Sequence, residues 1–221
     1  MSWQERYESR SPIFRFYPIR KTLILKNLPE KGMILEIGAG PGVFPELAGR
    51  IIALDANQEI LKQGSYARAC GKNESLPFGN GSFDAVVATG TLEYSILPDA
   101  LFETRRVLKK GGLFLATFAN RLSFRRIWDR EVYLPLSSCL KTIARKPAKR
   151  PIHWQMSAHE AGELLRQTGF NPIRVEFFDA NPLPRPTERL CPLLTNWLSD
   201  LLEPHAHALI ANQFLVVGVK S

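Results

Sequence analysis

The chain has 221 residues, 45% hydrophobic and 23% charged, which is enough to enclose one full core and too apolar for a disordered segment. Cys70, Cys139 and Cys191 are odd in number, far apart and without a Cys-x-x-Cys pair, so neither a disulfide framework nor a structural zinc site is expected, and a reducing cytoplasm fits. Met1 to Arg10 lacks the apolar core of a signal peptide and no stretch approaches the ~20 apolar residues of a membrane span, so the chain is expected to be neither secreted nor integral; its net charge of +8 points instead to an anionic partner.

In chain order, residues 3–28 mix aromatics with bases and predict two short helices separated around Pro12. Met33 to Ile37 reads as a strand buried on both faces that carries Glu36 near its end and feeds the glycine loop Gly38-Ala39-Gly40-Pro41-Gly42. A short helix over Val43 to Ala48 then leads to a second apolar strand, Arg50 to Leu54, ending in Asp55. Asn57 to Ala67 predicts a further helix and Arg68 to Cys70 a short edge strand. Phe83 to Ala88 is the fourth strand, Pro98 to Leu108 a helix closed by Gly111-Gly112, and Leu113 to Phe118 the fifth strand.

Residues 120–150 hold nine Lys or Arg against Asp129 and Glu131, a net +7, interleaved with apolar groups such as Leu122, Phe124, Ile127 and Trp128. This mixture predicts a surface facing anionic lipid, against the plainer alternative of a helical pair with its bases in water. Ser157 with Glu160 makes a capping box for a helix to Gln167, and Ile173 to Phe178 and Phe214 to Val219 are the last strands. Between them, apolar residues from Leu190 to Leu202 recur at helical spacing. The favoured expectation is a helix packed on the core, with an acceptor-contacting lid as the alternative.

The ligand is read from the two strand-end acids. Gly38-x-Gly40-x-Gly42 lacks the third glycine of a dinucleotide fingerprint, since Val43 stands there, and the Glu36 carboxylate would repel a phosphate. Asp55, 19 residues after Glu36, stands where a carboxylate can accept both hydroxyls of a ribose. Together they ask for a nucleoside with a cationic, phosphate-free tail, which describes S-adenosylmethionine, with S-adenosylhomocysteine as its product.

Five motifs in order carry a resemblance: Leu35 to Gly42, Leu54-Asp55-Ala56-Asn57, Glu74 to Phe78, Phe83 to Val87 and Arg106 to Gly112. The chain resembles the class I S-adenosylmethionine-dependent methyltransferases, in particular the branch related to the ubiquinone-type O-methyltransferases. The resemblance implies a Rossmann-like α/β fold, one seven-stranded sheet ordered 3-2-1-4-5-7-6 with the last strand antiparallel and helices on both faces. It implies one domain over 1–221, with a helical cap at 1–30, a basic insertion at 120–155 and a helical insertion at 180–211. Expected at the cofactor are Tyr7, Glu36, Gly38, Ala39, Gly40, Gly42, Asp55, Ala56, Asn57, Asn73, Glu74, Ser75, Thr89 and Gly90. Lys72 departs from the family, which often places an adenine-reading Asp there; lysine has no acceptor, so backbone at Asn73 and Glu74 is expected to read adenine.

Tyr94 and His153 are the catalytic candidates, with His159 behind them. His205-x-His207 has no nearby partner for a metal, and none is expected. The expected acceptor is a small, amphiphilic or lipid-like molecule, met in the cytoplasm or at the inner face of an anionic membrane. The strand-four tip, Thr89-Gly90-Thr91-Leu92, lacks the Asn/Asp-Pro-Pro-aromatic grip on base amines, which disfavours nucleic acid. An RNA-binding module or nucleic-acid methyltransferase using the basic segment, a NAD oxidoreductase and a cofactor-free interaction protein remain the rival readings.

Overall fold

The computed structural model describes residues 11–12, 14–64, 66–137, 155–184 and 187–221. Tyr7 and His153 lie outside the described residues, as does the whole basic run from Lys141 to Arg150. Seven strands form one sheet in the order β3-β2-β1-β4-β5-β7-β6. These are β1 (Ile34–Ile37), β2 (Ile51–Asp55), β3 (Arg68–Cys70), β4 (Phe83–Thr89), β5 (Leu108–Ala119), β6 (Phe170–Ala180) and β7 (Ala211–Lys220). The first five are parallel, and β7 runs antiparallel to both β5 and β6.

The period-two alternation of the strands divides the core between the two faces. Leu35, Ile37, Val86, Ala88, Phe114 and Ala116 pack on one side, beneath α3 (Leu97–Val107) and α5 (Ala158–Gln167). Ile34, Ala53, Ala85, Val87 and Leu115 pack on the other, with Ile24 of the cap helix α1 (Phe16–Asn27), Phe44 and Leu61. Each Leu or Ile taken fully out of water contributes about 1.5–3 kcal/mol, so the central strands, buried along nearly their whole length, anchor the sheet.

Two matched motifs serve the frame at the end of the sheet remote from the glycine loop. Asp84 accepts from the Met33 N–H at 2.8 Å and pairs with Lys109 at 2.8 Å, tying β4 to β1 and β5. Arg106 donates to the carbonyls of Phe78 and Leu76 at 2.7 and 2.9 Å and pairs with Glu103, so α3 clamps the turn before β4. The Ser157–Glu160 capping box is complete in both directions and starts α5.

Several local expectations change. The stretch after the glycine loop makes only a 3-10 turn, Pro45–Leu47, and the helix expected over Asn57 to Ala67 shrinks to α2 (Gln58–Leu61). Gly64 explains the second: a Cβ there would lie 2.5 Å from the Pro41 carbonyl, so the chain folds back against the loop instead of winding on. Helix α3 stops at Val107, and β5 starts at once at Leu108, with Gly111 at φ +74° inside an irregular strand rather than behind a helix.

The helix α7 (Pro192–Leu202), preceded by α6 (Thr187–Leu190), corrects the expectation of a core-packed face. It turns Thr195 and Ser199 inward and leaves Leu193, Leu194, Trp197 and Leu201 exposed. No described helix is long and apolar enough to cross a membrane.

Candidate active site

The parallel strands β1, β2 and β4 all end at one edge, and the strand order reverses there between β1 and β4, the switch point at which open α/β sheets form a crevice. The glycine loop follows β1, Asp55 ends β2 and Thr89 ends β4. Between them lies a cleft in two halves of about 460 and 520 Å³ that share Gly38, Asp55, Thr91 and Tyr94. One half is floored by Gly38, Ala39 and Gly40 and walled by Phe16, Tyr17, Arg20, Thr89, Gly90, Glu93, Arg126 and Gln213. The other is framed by Ala56, Gly71, Lys72, Asn73, Glu74, Ser95 and Ile96.

Asp55 joins loop and strand. Its Oδ2 accepts from the Gly40 N–H and its Oδ1 from the Asn57 N–H, both at 2.8 Å, which fixes the carboxylate and leaves each oxygen a further lone pair towards the cleft. The three loop glycines have different roles. All have positive φ, but the Cβ position at Gly38 is filled by the Thr91 side chain and that at Gly42 by the Tyr66 ring. Of the three, only Gly40 has open space at its Cβ position, with Ile60 Cγ2 at 3.6 Å the nearest atom, so a side chain there would take up room otherwise free for a ligand.

Glu36 lies fully buried under the loop and is not among the residues lining either half. Its Oε2 accepts from Tyr66 Oη at 2.6 Å, while Oε1 has no hydrogen-bond partner. Burial is the main cause that pushes its pKa up to about 7; the Tyr66 hydrogen bond opposes that rise. Tyr66 in turn is raised by burial and by the neighbouring Glu36 charge, so it stays a neutral donor. The Glu36–Tyr66 pair and the ring against Gly42 thus hold the loop from below.

At the tip of β4, Glu93 lines the cleft and is almost fully buried. Its Oε1 accepts from the Ala119 N–H at 2.8 Å. Burial raises its pKa, an effect partly offset by Ala119 and by the charges of Arg126 and Arg20. Arg20 is buried beside it, its guanidinium carbon 5.5 Å from the Phe16 ring centre and 5.0 Å from that of Tyr17.

A family model described as a methyltransferase domain matches residues 35–116, which contain the loop, Asp55 and the β4 tip. Over that stretch the chain is similar to a methyltransferase domain. A segment of an uncharacterized protein from Methanocaldococcus jannaschii is 32% identical over 107 residues, 46% of this chain and 43% of that one. An uncharacterized methyltransferase from Synechocystis is 29% identical over 164 residues, 68% of this chain and 72% of its own. The chain thus spans less than half the length of the first of these relatives. Among solved structures, a methyltransferase from Thermotoga maritima superposes with a TM-score of 0.68 at 22% identity, covering 99% of this chain and 96% of that one. That likeness is one of fold.

Of the methyltransferase residues expected from sequence, Gly38, Ala39, Gly40, Asp55, Ala56, Asn73, Glu74, Thr89, Gly90 and Tyr94 all line the cleft. Gly42 and Asn57 support it from outside: Asn57 caps α2 by accepting from Glu59 and Ile60. Ser75 donates its N–H to the Lys72 carbonyl at 3.1 Å and is not a lining residue. Asn73 is positioned by donating to Ser95 Oγ at 2.9 Å and Thr91 Oγ1 at 3.3 Å, and Glu74 by accepting from the Ile96 N–H at 2.8 Å. Tyr94 stands exposed at the mouth, and burial of its hydroxyl and the Glu93 charge raise its pKa, which keeps it a phenol at neutral pH. His159 lies in a separate shallow depression with Arg166 and Arg174. The described residues contain no cluster of three or more His, Cys, Asp or Glu able to hold a metal.

Sequence reasoning missed Arg20, Glu93, Arg126 and Gln213 in the cleft. Glu93 had a signal akin to that of Glu36 and Asp55, an acid shortly after an apolar strand, and was passed over for its neighbour Tyr94. Arg20 and Gln213 had none, because the packing of α1 and β7 alone brings them to the wall.

Proposed function

We propose that the protein methylates a small, amphiphilic, lipid-like acceptor, with S-adenosylmethionine held across both halves of the cleft. The open Cβ space at Gly40 and the ready lone pairs of Asp55 fit that cofactor: a backbone that admits close approach beside a diol acceptor. Asp55 holds the ribose hydroxyls, Ala56, Asn73 and Glu74 frame the adenine, and Gly38 to Gly40, with Thr89 and Gly90, take the methionyl end. When bound, the cofactor supplies an electrophilic methyl group on a cationic sulfur.

The rest is positioning, for which effective molarities correspond to up to roughly 7–11 kcal/mol of the barrier. The observation that carries the acceptor class is the wall opposite the loop, where the aromatic rings of Phe16, Tyr17 and Tyr94 stand with Arg20, Arg126 and Glu93. Such a wall fits an apolar body with a polar, acidic head. Glu93 is the group there able to take a proton from an acceptor hydroxyl, because burial makes it a stronger base than a free glutamate. Tyr94, a phenol, orients the acceptor by donating. Such an acceptor is met at an anionic membrane surface, to which the net +7 of residues 120–150 is complementary in charge.

The test is direct. Purified protein with isotopically labelled S-adenosylmethionine is incubated with lipid and aqueous metabolite extracts, and labelled products are sought by mass spectrometry. The expected label is in the lipid fraction, reduced in Glu93→Gln; label confined to aqueous metabolites or to nucleic acid would overturn the acceptor class.

A further inference from the structure

An amphipathic helix on a globular domain ordinarily turns its apolar stripe to the core. Helix α7 does the reverse. Its buried positions are Thr195 and Ser199, whereas Leu193 is 85% and Trp197 61% exposed, and Leu194 and Leu201 share the open side; Leu190, at the end of α6, is exposed as well.

The inversion is held by polar anchors. Arg15, just before the cap helix, donates to Asp200 at 3.0 Å and Glu203 at 3.4 Å, and Glu203 accepts from the N–H groups of Asp179 and Ala180 at 2.9 and 2.8 Å. Glu188 of α6 forms a buried ion pair with Arg125 of α4 (Phe124–Trp128). These bonds fix α7 to the strand β6 and α6 to α4, so the apolar side is presented rather than loosely exposed.

Helix α4 extends the surface. Phe124, Ile127, Val132 and Leu136 are exposed along this segment, and the Phe124 N–H donates at 2.8 Å to the carbonyl of Leu209, itself exposed. Apolar surface on this scale asks for an occupant.

We infer that the outward faces of α7 and α4 form a bilayer-docking surface that seats on a membrane containing anionic phospholipid. Charge chooses between a bilayer and a second copy of the chain. The chain carries a net charge of +8. Two copies of a chain so charged repel one another, whereas anionic headgroups are complementary to it. Trp197 among leucines suits the boundary between acyl chains and headgroups. The surface also adjoins the cleft, because α4 carries both Phe124 and the cavity-lining Arg126. Docking therefore places the cleft mouth at the membrane; that purpose rests on the proposed lipid-like acceptor, whereas the docking itself does not.

The full chain is tested by cosedimentation with vesicles of phosphatidylcholine alone and with added phosphatidylglycerol, at low and high salt. Binding is expected to the mixed vesicles, weakened by salt, and lowered by about tenfold or more in Leu193→Asn/Trp197→Gln, whose side chains are exposed and leave the fold intact. Calorimetric titration of S-adenosylmethionine reports the state of the cleft separately, and its affinity is expected to be the same in variant and parent. Binding to neither vesicle, equal binding to both, or undiminished binding by the variant would overturn the inference. So would a concentration-dependent dimer that the variant abolishes without any vesicle binding.

Discussion

Replacing Asp55 by Asn tests the cofactor assignment at its centre. In the native site both oxygens accept, one from Gly40 and one from Asn57, and the remaining lone pairs face the cleft. An amide has only one acceptor oxygen, so the substituted side chain must turn its NH2 towards one of those two N–H groups, donor against donor, and loses half of its capacity for a diol. A hydrogen bond to a charged group is worth roughly 1.5–3 kcal/mol, so the loss of one predicts binding weaker by about 10- to 150-fold. Isothermal titration with S-adenosylmethionine reads the affinity, and circular dichroism checks that the variant is folded. A folded Asp55→Asn protein with unchanged affinity would mean that the ribose does not lie on Asp55, and the reading of the cleft's two halves would fail with it.

Gly40→Val should abolish cofactor binding, because the branched side chain fills the open space above the loop at a φ of +58° that favours glycine; calorimetry alongside a melting curve separates this from unfolding. Stability should depend on pH through Glu36. Its folded pKa of about 7 lies above the unfolded value of 4.5, so its protonated form favours the native state at low pH, and that contribution is lost as pH rises from about 4.5 through 7, a change of up to about 3 kcal/mol. Asp179, raised to about 6 by burial, acts with the same sign. Melting temperatures measured across this range should fall with rising pH, and Glu36→Gln should flatten the slope. Ser157→Ala removes one half of the capping box of α5 and should cost about 1 kcal/mol, read from chemical denaturation.

The central strands, the glycine loop and the strand-end acids were legible in the sequence because they depend on short-range patterns. A buried parallel strand must be a continuous apolar run, and a sharp loop at positive φ must be glycine. The capping box was equally legible, since its partners are three residues apart. Helix lengths beside the loop were misread because Gly64 answers to Pro41, a contact invisible to local propensity.

What each glycine is for emerged only from the folded chain. Thr91 and Tyr66 fill the Cβ positions at Gly38 and Gly42, leaving Gly40 alone of the three with open space there. Packing alone set Arg20 and Gln213 opposite the loop, since the cap helix and the last strand reach the cleft from the two ends of the chain. The orientation of α7 was likewise beyond its own periodicity. A helical stripe of leucines records that one side is apolar, but which side faces the domain was settled by Arg15, Asp179 and Glu203, polar groups far apart in sequence that hold its other side.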